Sequence, residues 1–183
     1  MSQYHATMYK KALRGAVMNI TYRKADMSDL DAIHSLAQRA VENMIASGIY
    51  QWDELYPTRD NFKADIEKNQ LYVGIAEERI SVVFVINKEY DPEYNDAAWH
   101  YKGDNFRVIH RLCVDPDFQR SGIARKTMLH IEALLKSQGV KSIRLDTFTQ
   151  NPRALGLYES LGFLKTGYAD WRKGRFVLLD KII

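Results

Sequence analysis

VIHRLCVDPDFQRSGIARKTMLHIEALLKS, running from Val108 to Ser137, is an apolar strand that passes through a polar turn directly onto an amphipathic helix. The turn is Gln119-Arg120-Ser121-Gly122-Ile123-Ala124. The first N–H groups of a helix lack intrahelical partners and sit at the positive end of its dipole, so a helix start is an anion site wherever side chains stand aside. Gly122 and Ala124 are the positions where they do. Neither of the common nucleotide loops fits: Gly122 stands alone, without the further glycines of a dinucleotide fingerprint, and Arg125-Lys126-Thr127 lacks the preceding glycine of a Walker loop.

Length and composition narrow the classes. A chain of 183 residues suits one domain with a sizeable core, and 46% hydrophobic with 27% charged residues is ordinary for a globular protein. A formal net charge of +3 is too small to argue for nucleic acid as a partner. The single cysteine, Cys113, excludes an intramolecular disulfide and a multi-thiolate metal site, which suits a reducing, cytoplasmic setting. No apolar run approaches the roughly 20 residues that span a bilayer, so no membrane partner is expected. His5, His34, His100 and His130 follow no ligand spacing, so no metal is expected.

Residues 1–18 carry Lys10, Lys11 and Arg14 with no acid before Asp26 and read as an N-terminal extension, leaving 19–183 as the domain. Ile20 to Lys24 alternates as a strand. Ser28 and Asp31 have the spacing of a capping box ahead of a helix with Leu30, Ile33, Leu36, Ala37 and Val41 on one face, ended by Gly48. Thr58 caps a second helix to Lys68. Leu71 to Glu77 and Ile80 to Lys88 form a hairpin, and Tyr90 to Asn105 is a polar, aromatic insertion before the central strand Phe106 to Val114. After the long helix come a strand at Ser142 to Phe148, a helix opened by Asn151-Pro152 and stopped by Gly162, and closing strands at Phe163 to Tyr168 and Arg175 to Ile182. The order predicts a mixed α/β domain, a central sheet flanked by helices.

From about Asn19 to Ile182 the chain resembles the GCN5-related N-acetyltransferase (GNAT) superfamily. RLCVDPDFQRSGIA (Arg111 to Ala124) and NPRALGLYESLGF (Asn151 to Phe163) carry the likeness, in the order and settings that the family uses. The resemblance implies a predominantly antiparallel sheet with splayed central strands. It implies acetyl-CoA as donor, its pyrophosphate on the backbone of Arg120, Ser121, Gly122, Ile123, Ala124 and Arg125. Its pantetheine arm would pair with the backbone of Leu112, Cys113 and Val114, and Asn151 would face that arm. Ala124 stands where many relatives have glycine, and Ser81 likewise.

Acetyl transfer from a thioester to an amine needs a neutral amine, a polarised carbonyl and a proton for the departing thiolate. Tyr158 matches the family position for the general acid; read without the family, it is a core tyrosine beside Leu155 and Leu161. His110 is a candidate base, directly or through water, with Glu54 or Asp53 as the alternative. Cys113 raises the idea of a covalent acetyl-enzyme, but its side chain should point away from those of Leu112 and Val114, as a buried structural thiol. Acceptors in the family approach between the first helix–helix loop, the insertion and the last strand pair. Those segments bring Tyr50, Trp52, Asp53, Glu54 and Tyr56; Trp99, His100 and Tyr101; and Asp170 and Trp171. Aromatic faces beside carboxylates suit a cationic amine, either a small molecule or a peptide amino terminus; the same aromatics could equally plug the ends of the sheet. A non-catalytic acyl-CoA-binding module, a peptide N-terminal acetyltransferase and a homodimer all stay open at this level.

Overall fold

Strand β1 (Thr21–Lys24) leads into a short 3-10 turn at Met27–Asp29 and then helix α1 (Leu30–Ala46) in the computed structural model, which describes residues 19–183. The extension expected over 1–18 lies outside the described residues. The capping box is not at Ser28 and Asp31 but earlier, between Asp26 and Asp29. Arg23 decides this by gripping Asp29 through two hydrogen bonds of 2.6 and 2.8 Å, so the chain turns once before the helix proper begins. Gly48, at φ +73°, closes α1 in the left-handed region. Helix α2 (Arg59–Glu67) starts at the predicted cap, Thr58, with Asn61 answering it reciprocally.

Strands β2 (Leu71–Ala76), β3 (Arg79–Asn87), β4 (Phe106–Val114), β5 (Ser142–Phe148), β6 (Leu164–Trp171) and β7 (Gly174–Ile182), with helices α3 (Ile123–Ser137) and α4 (Pro152–Ser160), complete the element order read from the sequence. The sheet has seven strands in the order β1-β2-β3-β4-β5-β7-β6, antiparallel throughout except where β4 and β5 run parallel. No helix among the described residues is long and apolar enough to cross a membrane.

Alternation along the strands assigns the two faces. Leu179, Val177 and Ile109 point at α3 and α4, meeting Met128, Ile131 and Leu135 at helical spacing. On the other face α1 and α2 cover β2 and β3, with Ile33, Leu36 and Phe62 against Val73, Val83 and Val85. Burying each large aliphatic side chain contributes about 1.5–3 kcal/mol, so these two layers hold the sheet between them. On the β5-β7-β6 half of the second face, α1 and the loop after it reach only the far end, where Met44 and Ile49 meet Phe148 and Phe176. The insertion covers the rest: Tyr94 and Trp99 are buried against Phe106, Val108, Ala169 and Leu178.

Candidate active site

The central strands part in the middle of the sheet. Pairing between β4 and β5 ends at Ile109↔Leu145, yet β4 continues to Val114. A bulge falls at the same place: between Val83↔Cys113 and Val85↔His110, β3 advances by two residues and β4 by three. The extra residue places Arg111 at φ +53°, a backbone region that residues other than glycine seldom enter. Beyond it the edge of β4 is free of a partner on the β5 side, and a cleft of about 920 Å³ opens there. Leu112, Cys113 and Val114 line it.

Gly122 stands at the head of α3 with φ +82°, and Arg120 is also left-handed at φ +62°. Left-handed residues set among residues of negative φ turn neighbouring amides toward one side, as in anion-binding nests. No side chain caps α3, so its first-turn amides are not used up internally. A Cβ built on Gly122 would meet no atom within 4 Å. What requires glycine here is therefore the backbone conformation and the approach from the cleft, not crowding by the fold. Arg120, Gly122, Ile123, Ala124 and Arg125 line the cleft; Ser121 does not, its hydroxyl turning back to donate to the Phe118 carbonyl. Arg125 donates to Ser160 Oγ at 2.9 Å, joining α3 to α4. Asn151 also lines the cleft, but its side chain is engaged: Oδ1 caps Ala154 at 3.1 Å and Nδ2 donates to Gln51 at 2.9 Å.

Tyr158 is buried on α4 and borders the same cleft. Its hydroxyl has no hydrogen-bond partner among the described residues and is not sealed from the cleft. Burial, then the negative charge of Asp146, pushes this phenol well above the ordinary tyrosine range, so it keeps its proton. Asp146 is the residue that the sequence reading passed over. It sits on β5 beside the opening, accepts a hydrogen bond from Tyr94 Oη at 2.8 Å, and burial pushes its carboxyl up to about 6. An acid inside a strand reading SIRLDTF was the available signal, since Asp is depleted in strands and needs a reason to be there.

His110 lies in the cleft, but its Nε2 is 3.0 Å from both Asn87 Oδ1 and the Glu89 carbonyl. Asn87 is oriented by donating to Gln70 and accepting from the Glu89 amide, so both oxygens are acceptors and Nε2 carries the ring proton. Burial and the neighbouring Arg111 push the imidazole down to about 4, making it a neutral ring and a weak base. Cys113 faces α1 and α2, and burial pushes its thiol up to about 12, which leaves it protonated and unreactive.

At the far end the loop between α1 and α2 covers the cleft. Trp52, Tyr56 and Trp171 line it as expected. Tyr50 and Glu54 do not: both sit on the exposed outer side of the loop. Trp99 is off the cleft as well, because the insertion folds as core; its ring packs on Tyr94 and lies under the Arg144 guanidinium at 4.5 Å. His100 beside it is tied to Asp180 through Nδ1 at 2.7 Å. Asp53 is not free for an amine, since Arg172 grips both its oxygens at 2.7 and 2.8 Å and Lys173 adds a contact at 3.1 Å. Arg172 above all holds this carboxyl well below the usual range. Asp170 is likewise paired, with Arg175. In their place the bulge brings Arg111, which donates to Asp65 at 2.7 Å and lies over the Tyr56 ring at 5.3 Å. Burial raises the Asp65 carboxyl despite that pair.

A model of the acetyltransferase (GNAT) family matches residues 37–163. A curated relative, the ribosomal protein bS18-alanine N-acetyltransferase of Salmonella typhimurium, is 42% identical over 56 residues, which are 31% of this chain and 38% of the relative. In that match the chain spans well under half of the relative's length. The S-(2-succino)cysteine N-acetyltransferase of Bacillus subtilis is 24% identical over 168 residues, 90% of this chain and 96% of the other. Among solved structures, a GNAT family acetyltransferase from Streptococcus agalactiae shares the fold with a TM-score of 0.79 at 21% identity, over 90% of this chain and 95% of its own.

Proposed function

Because the chain belongs to the GNAT acetyltransferase family, we propose that it moves an acetyl group from acetyl-CoA to a primary amine by direct attack within a ternary complex. The observation that carries this reading is that Tyr158 and Asp146 border one cleft, where β4 and β5 have separated and the uncapped start of α3 also opens. Acetyl-CoA would lay its pyrophosphate on the amides from Arg120 to Arg125 and continue the free edge of β4 with its pantetheine amides, as a ligand with its own N–H and C=O groups can.

The chemistry follows from the two protonation states. Asp146, raised to about 6, is ionised at neutral pH yet basic enough to receive the ammonium proton of the acceptor, directly or through water. The free amine nitrogen attacks the thioester carbonyl, the C–N bond forms, and the C–S bond breaks with its electron pair leaving on sulfur. Tyr158, held protonated, gives that sulfur its proton, and the second proton, which the nitrogen sheds on becoming an amide, returns through water to the phenolate. Asp146 thus takes the role of base for which His110, Glu54 and Asp53 were the candidates. His110 serves to hold Asn87 and the Glu89 carbonyl in place. The inert Cys113 supports direct attack over a covalent acetyl-enzyme.

The two relatives differ in acceptor, one being named for an alanine of a ribosomal protein and the other for a modified cysteine. Thiol release from acetyl-CoA over a panel of amino acids, polyamines, aryl amines and short peptides tests the reading. Transfer that needs an amine and is lost in Tyr158→Phe supports it; a protein that binds acetyl-CoA and acetylates none of them is instead a sensor.

A further inference from the structure

Charge of both signs lines the acceptor end of the cleft. Asp146 and Asp91 contribute the negative side. Arg172 and Lys173, in the turn joining β6 and β7, and Arg111 from the bulge contribute the positive side. Along β7 the two sides are separated by an apolar step: Asp146 is paired with Leu178, Phe148 with Phe176, and the basic turn lies beyond.

The cations are only partly met by their protein partners. Asp53 is one carboxylate in short contact with two cations, and Glu54 acts on Arg172 through space without a hydrogen bond, so Lys173 has only a share of Asp53 as its partner. Arg111 gives only Nη1 to Asp65, and its Nη2 has no hydrogen-bond partner among the described residues. Glu89, also at this end, does not supply the missing anion, because Lys68 holds it at 2.9 Å.

We propose that the acceptor is an amine that also carries a free carboxylate, an amino acid with an apolar body, in preference to a simple amine, a polyamine or a peptide amino terminus. This deepens the acetyl-transfer reading and rests on it. The nitrogen approaches Asp146, which can take its proton, while the carboxylate answers the partly met charge at Lys173 or Arg111. A simple amine leaves that charge unanswered. A polyamine adds charge of the same sign, and a peptide terminus offers a neutral carbonyl where the carboxylate would be. Trp52, Tyr56 and Phe176 pack the apolar body between the poles.

The test compares matched pairs: L-phenylalanine with 2-phenylethylamine, 6-aminohexanoate with hexylamine, and an alanyl peptide amide as a further arm. In at least one pair the carboxylate-bearing partner is expected to have kcat/KM at least about tenfold higher, mostly through KM, as a charge-assisted contact gives. Lys173→Gln keeps the grip of Arg172 on Asp53 and should shrink that ratio at least about threefold, with Arg111→Gln as the second variant. Equal or better use of both decarboxylated partners, a peptide amide as the best acceptor, or a ratio unchanged in both variants overturns the proposal. Calorimetry of the same pairs on CoA-loaded protein separates the two levels. If nothing is acetylated, transfer fails as a reading, and the binding preference still decides whether a carboxylate is recognised.

Discussion

At the end of the cleft assigned to the cofactor the recognising groups are backbone: the free edge of β4 and the first amides of α3. At the acceptor end they are side chains delivered by the α1–α2 loop, the bulge and the β6–β7 turn, from positions as far apart in sequence as Asp53 and Lys173. Backbone recognition needs a local conformation, so a short motif specifies it. Side-chain recognition needs several segments brought together, and charges that look free in sequence pair with one another when they meet.

The comparison breaks most readily at the reacting centre, which lies between the two ends. Tyr158→Phe removes one hydroxyl and should lower kcat by about a hundredfold to ten-thousandfold with little change in CoA affinity; stopped-flow thiol release beside calorimetry measures both, and wild-type turnover would leave Tyr158 as a packing residue. Asp146→Asn should cost a similar factor near neutral pH and abolish an acidic limb near pH 6 in kcat/KM. His110→Gln should leave that limb in place, and its disappearance there would return the base to the imidazole.

Next in size is the cofactor end. Gly122→Glu puts a side chain and a negative charge at a left-handed helix start and should weaken CoA binding at least about tenfold. Unchanged affinity in a folded variant would remove the anion site. At the acceptor end Trp52→Ala should raise KM for the amine several-fold and leave that for acetyl-CoA alone. Trp99→Ala should do neither, while costing about 3–5 kcal/mol of stability, because that ring is core; a changed amine KM would put Trp99 back in the site.

Stability against pH separates the two titrating groups. Asp146 is raised from 3.8 to about 6 in the fold, so its contribution is present below pH 3.8 and is lost as pH rises through 6. His110 is lowered from 6.5 to about 4, so its contribution is present above pH 6.5 and is lost as pH falls through 4. Thermal melts should therefore show Asp146→Asn flattening one slope and His110→Gln the opposite one.

The element order, the central strand, the helix start at Gly122 and the placement of Tyr158 were legible because each follows from periodicity, a cap or a motif. The base was not. Asp146 looks like an ordinary strand residue until β5 separates from β4 beside it. Trp99 and Glu54 were expected near the acceptor from the segments past which the family's acceptors approach, but aromatics in an insertion can fill an uncovered sheet face, and a loop has an outer side. Asp53 looks like a free carboxylate in the sequence, and only the arrival of Arg172 and Lys173 decides what it does.

The bulge at Arg111 makes the centre of this molecule a matter of counting. With strict alternation, Ile109, Arg111 and Cys113 would share one face of β4; the extra residue instead sends Arg111 and Cys113 to the α1–α2 side and Leu112 to the side of Ile109. Deleting Arg111 would restore the even phase with Leu112 and Cys113 still on their present faces, take the cation out of the cleft and let β4 run on in step with β3. Substitutions at these positions change what the strand presents, and only a change of length can change whether it presents it. The site is thus written partly in residue number, a kind of information that a position-by-position replacement survey of the strand would pass over entirely.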